Sequence, residues 1–166
     1  DPGKEADAAK ALIDQGVDII TQHTDSTAPM QVASERGIKA FGQASDMIKF
    51  GPQTQLTSII DDWGPYYVER VKAVAEGTWE QVDIWDGMKE GHVVMAPYTN
   101  MPDDVKAMAQ ETEARIKDGT FHPFTGPVKK QDGSDWLKEG EVADDGTLLG
   151  MNFYVQGVDD KLPSGN

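Results

Sequence analysis

The 166-residue chain carries 15 Lys and Arg against 29 Asp and Glu, a formal net charge of −14, and its pI is near 4.4. An acidic excess without any Lys/Arg stripe argues against a nucleic-acid partner, and no apolar run approaches the roughly 20 residues a bilayer span requires. Cysteine is absent, which removes disulfides, thiolate nucleophiles and Cys-ligated zinc together; the size suits one ordinary domain or two small lobes.

Asp1-Pro2-Gly3-Lys4 reads as the cap and first turn of a helix. That helix runs to Gln15 with Ala8, Ala9, Ala11, Leu12 and Ile13 on its apolar face and Gly16 as its stop. Val17-Asp18-Ile19-Ile20 follows as a β-branched strand. A second helix over 29–36 halts at Gly37, and Ile38-Lys39-Ala40-Phe41 is the next strand. Helix, Gly, strand, loop, repeated, is the rhythm of a parallel α/β sheet. In such sheets ligands bind beyond the carboxyl ends of the strands. Those ends are Gln22-His23-Thr24-Asp25-Ser26 and Gly42-Gln43-Ala44-Ser45-Asp46, both polar after apolar strands.

A third strand, Leu56-Thr57-Ser58-Ile59-Ile60, leads to Asp61-Asp62-Trp63. A helix over 63–76 is then expected, with Tyr67, Val71, Val74 and Ala75 on one face and Gly77 as its stop. Short strands are expected at Ile84-Trp85 and at His92-Val93-Val94-Met95-Ala96. A further helix starts near Asn100 or Met101, with Pro102, Asp103 and Asp104 in its first turn. Its buried stripe is Val105, Met108, Ala109, Thr112 and Ile116, and Gly119 ends it. Beyond Phe121 the chain reads as turns and short strands such as Leu148-Leu149-Gly150-Met151, closing on a polar, turn-rich tail, Lys161 to Asn166.

No dinucleotide fingerprint, phosphate-binding loop, nucleophile elbow or paired-His zinc motif occurs. His23, His92 and His122 stand far apart, so neither a metal nor a cofactor is expected. Of the four Asp-Asp pairs, Asp103-Asp104 suits a helix start, while Asp144-Asp145 and Asp159-Asp160 suit turns. Asp61 is different: it ends an apolar strand and precedes aromatics, which places it before a ligand. Trp63, Tyr66 and Tyr67 can stack on a planar ring or pack as a helix stripe. Trp79, Trp85, Phe121 and Phe124 flank turns and are expected to cover a sheet edge. In Thr24-Asp25-Ser26, hydrogen bonding to a ligand competes with capping of the following helix by Ser26 or Thr27.

In order along the chain stand Asp1-Pro2-Gly3-Lys4-Glu5, Leu12-Ile13-Asp14-Gln15-Gly16-Val17-Asp18-Ile19-Ile20, Gln22-His23-Thr24-Asp25-Ser26 and Gly42-Gln43-Ala44-Ser45-Asp46-Met47. Leu56 to Ile60, Gly77-Thr78-Trp79, Pro123-Phe124-Thr125-Gly126-Pro127 and Tyr154-Val155-Gln156-Gly157-Val158 follow. This ordered set resembles the basic membrane protein family of ABC-transporter substrate-binding proteins, the purine nucleoside receptor type.

The resemblance implies an α/β fold of the type I periplasmic-binding-protein kind, a parallel sheet flanked by helices, of which this chain is the C-terminal half of a two-lobed protein. Residues 1–60 would form the α/β portion of one lobe. Residues 61–166 would cross over to the other lobe and return. A preceding half would hold most of the first lobe, a stacking aromatic and the signal or lipoprotein cysteine, giving a periplasmic or otherwise extracytoplasmic location, with a lipid anchor as an option. The implied partners are a purine-like small molecule and an inner-membrane ABC permease. Thr24, Asp25, Gln43, Asp46, Asp61 and Trp63 would line the cleft from this half, which closes by a hinge with crossings near Ile60-Asp61 and at the C-terminal segment.

Two positions depart from the family pattern. Ala44 stands where members carry an acid, and Asp61 where they often carry Lys. Both changes point away from an intact ribose and toward a donor-rich or cationic ligand, such as a purine base. Catalysis is not expected. A sensory ligand-binding domain of the same fold remains open, as does a doubly wound hydrolase using Asp25 or Asp46.

Overall fold

The computed structural model describes residues 1–162; the end of the tail, Pro163 to Asn166, lies outside the described residues. The chain forms two compact units that divide after Glu113. The first holds a four-stranded sheet in the order β1-β2-β3-β4. Its strands are β1 (Ile19–Ile20), β2 (Lys39–Gly42), β3 (Gln55–Asp61) and β4 (Val93–Met95). β1, β2 and β3 run parallel, and β4 lies antiparallel to β3. The sheet is therefore mixed.

Local chemistry sets the helices. α1 (Pro2–Asp14) is capped by the Asp1 carboxylate, which accepts from the Gly3 and Lys4 amides, with Pro2 in the first turn where no N–H is needed. α2 (Ala28–Arg36) stops where Gly37 takes the left-handed conformation at φ 72°. Thr27 caps α2 without its side chain, and the Ser26 hydroxyl instead accepts from Ala28 N–H. α1 and α2 pack together, and the core beneath α2 is built from Ile20, Met30, Ala33, Ala40 and Met47, flanked by Ile13, Val17, Ile38 and Phe50.

α3 (Gly64–Glu76) ends at left-handed Gly77 as expected. The face of Tyr67, Val71 and Val74 nonetheless stays in solvent, Val71 being 69% exposed. α4 (Asp103–Asp118) starts with Asp103 and Asp104 in its first turn but has no buried residue. Of the expected stripe, Val105 and Met108 are exposed while Ala109, Thr112 and Ile116 are half-buried: amphipathic spacing sets a face, not its cover. Ile84-Trp85 forms no strand, and Trp79 and Trp85 are exposed rather than packed over a sheet edge.

The second unit pairs β5 (Val128–Lys129) antiparallel with β6 (Asp135–Leu137). Trp136 meets Phe124 and Phe153 edge-on, at centroid distances of 5.7 and 4.9 Å. The segment read as a strand near Leu148 is instead α5 (Asp145–Leu149). The reason is Asp144, whose carboxylate accepts Thr147 N–H at 2.7 Å and so caps a helix rather than a turn.

Candidate functional site

Because β1, β2 and β3 are parallel, their carboxyl ends share one edge of the sheet, and the three loops leaving them carry most of the polar residues singled out above. After β1, the Gln22 amide donates to the carbonyls of Thr24 and Ser26, both at 2.8 Å, folding Thr24-Asp25-Ser26 into a compact turn. The Ser26 hydroxyl donates to Glu5 of α1; this bond, ahead of other contacts, holds the Glu5 carboxyl below its ordinary range. Thr24 and Asp25 remain exposed.

The loop after β2 rests on a buried polar scaffold. Gln55, Thr57 and Ser58 are all buried on β3. Ser58 Oγ donates to Gln55 Oε1 at 2.8 Å and accepts Met47 N–H at 3.3 Å. Gln55 Nε2 in turn donates to Asp46 Oδ1 at 2.8 Å, and Ile48 N–H reaches the same oxygen at 3.1 Å. Asp46 is thus held by one oxygen within the loop. β2 must end in glycine for this to fit: a Cβ on Gly42 would stand 1.9 Å from Ser58 Oγ and 3.2 Å from the Met47 Cβ.

Ala44, at the tip of this loop, adopts φ 62°, a left-handed conformation that costs a side-chain-bearing residue about 1 kcal/mol. Its carbonyl accepts the Asp61 amide at 3.2 Å. The two positions that depart from the family pattern are therefore bonded neighbours. Gln43 is half-buried beside them.

Asp61 and Trp63 open onto a pocket of 250 Å³, shared with Ile84, Trp85, Asp86, His92 and Val93. Trp63 stacks with Tyr67 at 5.8 Å and meets His92 edge-on at 4.7 Å. His92 Nδ1 stands 3.4 Å from Asp86 Oδ2. Thr24 lines a different cavity, of 490 Å³, between α1 and the end of β1. The structure thus joins Asp61 with Trp63 and links Gln43, Ala44 and Asp46 in one loop beside them. From sequence, Trp85 is expected to cover a sheet edge and His92 to open a strand, while Asp86 is not singled out; that the three share one pocket gives no periodic signal, because Trp85 and Asp86 sit on a segment without regular structure. Among the described residues no cluster could hold a metal ion, and no helix is long and apolar enough to cross a membrane.

Comparison with known proteins gives this arrangement a context. The chain is 78% identical, over 98% of its length, to a purine-binding protein of Brucella abortus, of which it covers 47%. It is 32% identical, over 99% of its length, to a Haloferax volcanii protein named as an ABC-transporter glucose-binding protein, of which it covers 40%. It thus spans about half the length of these curated relatives. A solved ABC-transporter solute-binding protein from Conexibacter woesei superposes with a TM-score of 0.55 at 22% identity, over 74% of this chain and 42% of that one. That likeness supports the fold alone. Residues 1–131 match the family model of PnrA-like ABC-transporter substrate-binding proteins, and the chain belongs to that family.

Proposed function

We propose that the protein is the solute-binding component of an ABC importer, taking up a purine-like small molecule outside the cytoplasmic membrane and delivering it to a membrane permease. The observation that carries this reading is the convergence of the polar β1, β2 and β3 loops on one sheet edge, next to the Asp61–Trp63 pocket. Open α/β sheets receive ligands at that edge. The name of the 78% identical Brucella relative supports a purine.

In this reading Thr24, Asp25, Gln43, Asp46 and Asp61 supply hydrogen bonds, and Trp63 supplies an aromatic wall. Under the same reading the chemistry is capture rather than turnover. Domain closure would pivot near Ile60-Asp61, where β3 changes from a parallel to an antiparallel neighbour. A boundary there would separate residues 1–60, the α/β portion of one lobe, from a crossing segment over 61–166.

A thermal-shift screen of the protein from its complete reading frame tests the proposal, using purine bases, nucleosides, sugars and amino acids. A ligand at 100 times its Kd adds about 2.7 kcal/mol and visibly raises the melting midpoint. A shift with purines alone is expected. The Haloferax relative is named for glucose, so a shift with sugars and none with purines would replace the ligand and leave only the importer reading.

A further inference from the structure

The 250 Å³ pocket at the end of β3 holds more chemistry than the site residues read from sequence. Two of its walls are indoles, Trp63 and Trp85, both substantially exposed, with Ile84 and Val93 completing an apolar lining. Large rings left in solvent forgo burial worth about 25 cal/mol per Å², so a planar apolar face entering the pocket recovers it. The charged lining is two carboxylates, beside the His92 imidazole and the two indole N–H groups. Asp61 has no side-chain hydrogen bond or ion pair among the described residues, and Asp86 meets only the His92 ring. Ionised carboxylates are acceptors only. No Lys or Arg lines the pocket to neutralise them. The edge of an occupant that faces Asp61 and Asp86 must therefore bring donors, and a carbonyl presented to them would be repelled.

Size narrows the class further. At 250 Å³ the part of the pocket formed by this chain falls just below the roughly 300–1,000 Å³ usual for small-molecule sites, room for the ring of a ligand.

We infer that this pocket is the ring subsite, that it selects a planar, amino-substituted, N–H-rich heterocycle, and that Trp85 and Asp86 determine specificity alongside Trp63 and Asp61. The inference rests on the purine-binding reading above and assigns which part of the ligand goes where. Trp85 supplies a second stacking wall. Asp86, with Oδ2 beside His92 Nδ1 at 3.4 Å, supplies its other oxygen as a second acceptor for an exocyclic amine or a ring N–H.

Calorimetric titration of the protein from its complete reading frame tests this, with adenine, hypoxanthine and adenosine as probes. Wild type should bind adenine at least tenfold tighter than hypoxanthine and adenosine. Trp85→Ala and Asp86→Asn should each weaken adenine at least tenfold, Trp85→Phe should restore most of the loss, and Asp86→Asn should narrow the amino-over-oxo preference. Trp85 is 61% exposed, so unfolding is not expected; unchanged melting midpoints of the free variants check this. If wild type binds purines but both variants match it, the subsite assignment is overturned while the purine reading stands. If wild type prefers the oxo ring or the nucleoside, the acceptor argument is overturned. If it binds none of the three, both readings fall.

Discussion

α2 and α3 are both amphipathic helices closed by a left-handed glycine, yet they end in opposite situations. α2 buries Pro29, Met30, Val32 and Ala33, and Met30 and Ala33 pack with Ile20, Ala40 and Met47 in the core. α3 contributes no buried residue and leaves Val71 and Val74 in water. The difference teaches that apolar periodicity specifies a face and a helix, while burial depends on which other chain reaches that face. Around α2 the partner strands are adjacent in sequence. Around α3 they are not present among the described residues.

The largest test of this contrast is Met30→Ala against Val71→Ala in the 166-residue chain. Emptying a fully buried site costs about 2–5 kcal/mol, whereas an exposed position changes stability by about 0.5 kcal/mol at most. Denaturant melts of both variants read the difference, and equal costs would erase the contrast. Repeating Val71→Ala in the protein from its complete reading frame sharpens it: a cost there above about 1 kcal/mol would reveal a cover over α3.

Ser58→Ala comes next. It leaves Met47 N–H and Gln55 Oε1 without their partner beneath the β2 loop, at about 1–3 kcal/mol. Its effect should exceed that of Tyr67→Phe on α3, whose hydroxyl carries no such role. Ala44→Gly should act in the opposite direction. Relieving the left-handed strain at φ 62° stabilises by about 1 kcal/mol, less the extra freedom glycine gains when unfolded. A destabilised Ala44→Gly would show that the strain is not there.

The smallest effect concerns alkaline pH. Burial, with the Glu113 carboxylate accepting its hydroxyl at 3.0 Å, pushes the Tyr98 phenol up to about 12. A raised folded-state value means the contribution is complete below the ordinary value of 10.0 and is lost as pH rises through about 12. Tyr98→Phe should therefore flatten the fall in stability across that window in pH-dependent melts. An unchanged slope would remove Tyr98 from the linkage.

Much of the parallel region was legible in the sequence because its signals are local. Gly37 and Gly77 stop helices, β-branched runs make strands, and the polar stretches after β1 and β2 stand where α/β sheets place ligands. The structure puts Asp61 and Trp63 on one pocket, and their place at the end of the third strand was legible. The burial of α3 and α4 was not, since amphipathicity carries no address. Nor was α5, where capping by Asp144 outweighed the strand-like Leu148-Leu149. The meeting of Trp85, Asp86 and His92 at one pocket was illegible for another reason: Trp85 and Asp86 lie where the chain has no regular structure and no period, and only the antiparallel return of β4 beside β3 brings His92 and Val93 to Asp61.

The absence of a side chain at Gly42 has an evolutionary consequence. A single methyl there would strike Ser58, and through Ser58 and Gln55 the disturbance would reach the Asp46 carboxylate. Mutational paths that enlarge β2 from within are therefore closed. Gln43, Ala44 and Asp61 stand clear of that buried lattice, so under the proposed reading exchanges among these three would alter ligand preference while the platform beneath stays constant. Ala44 and Asp61 are joined by a single backbone hydrogen bond, and under the same reading a lineage changing its nutrient would find a short route through that pair.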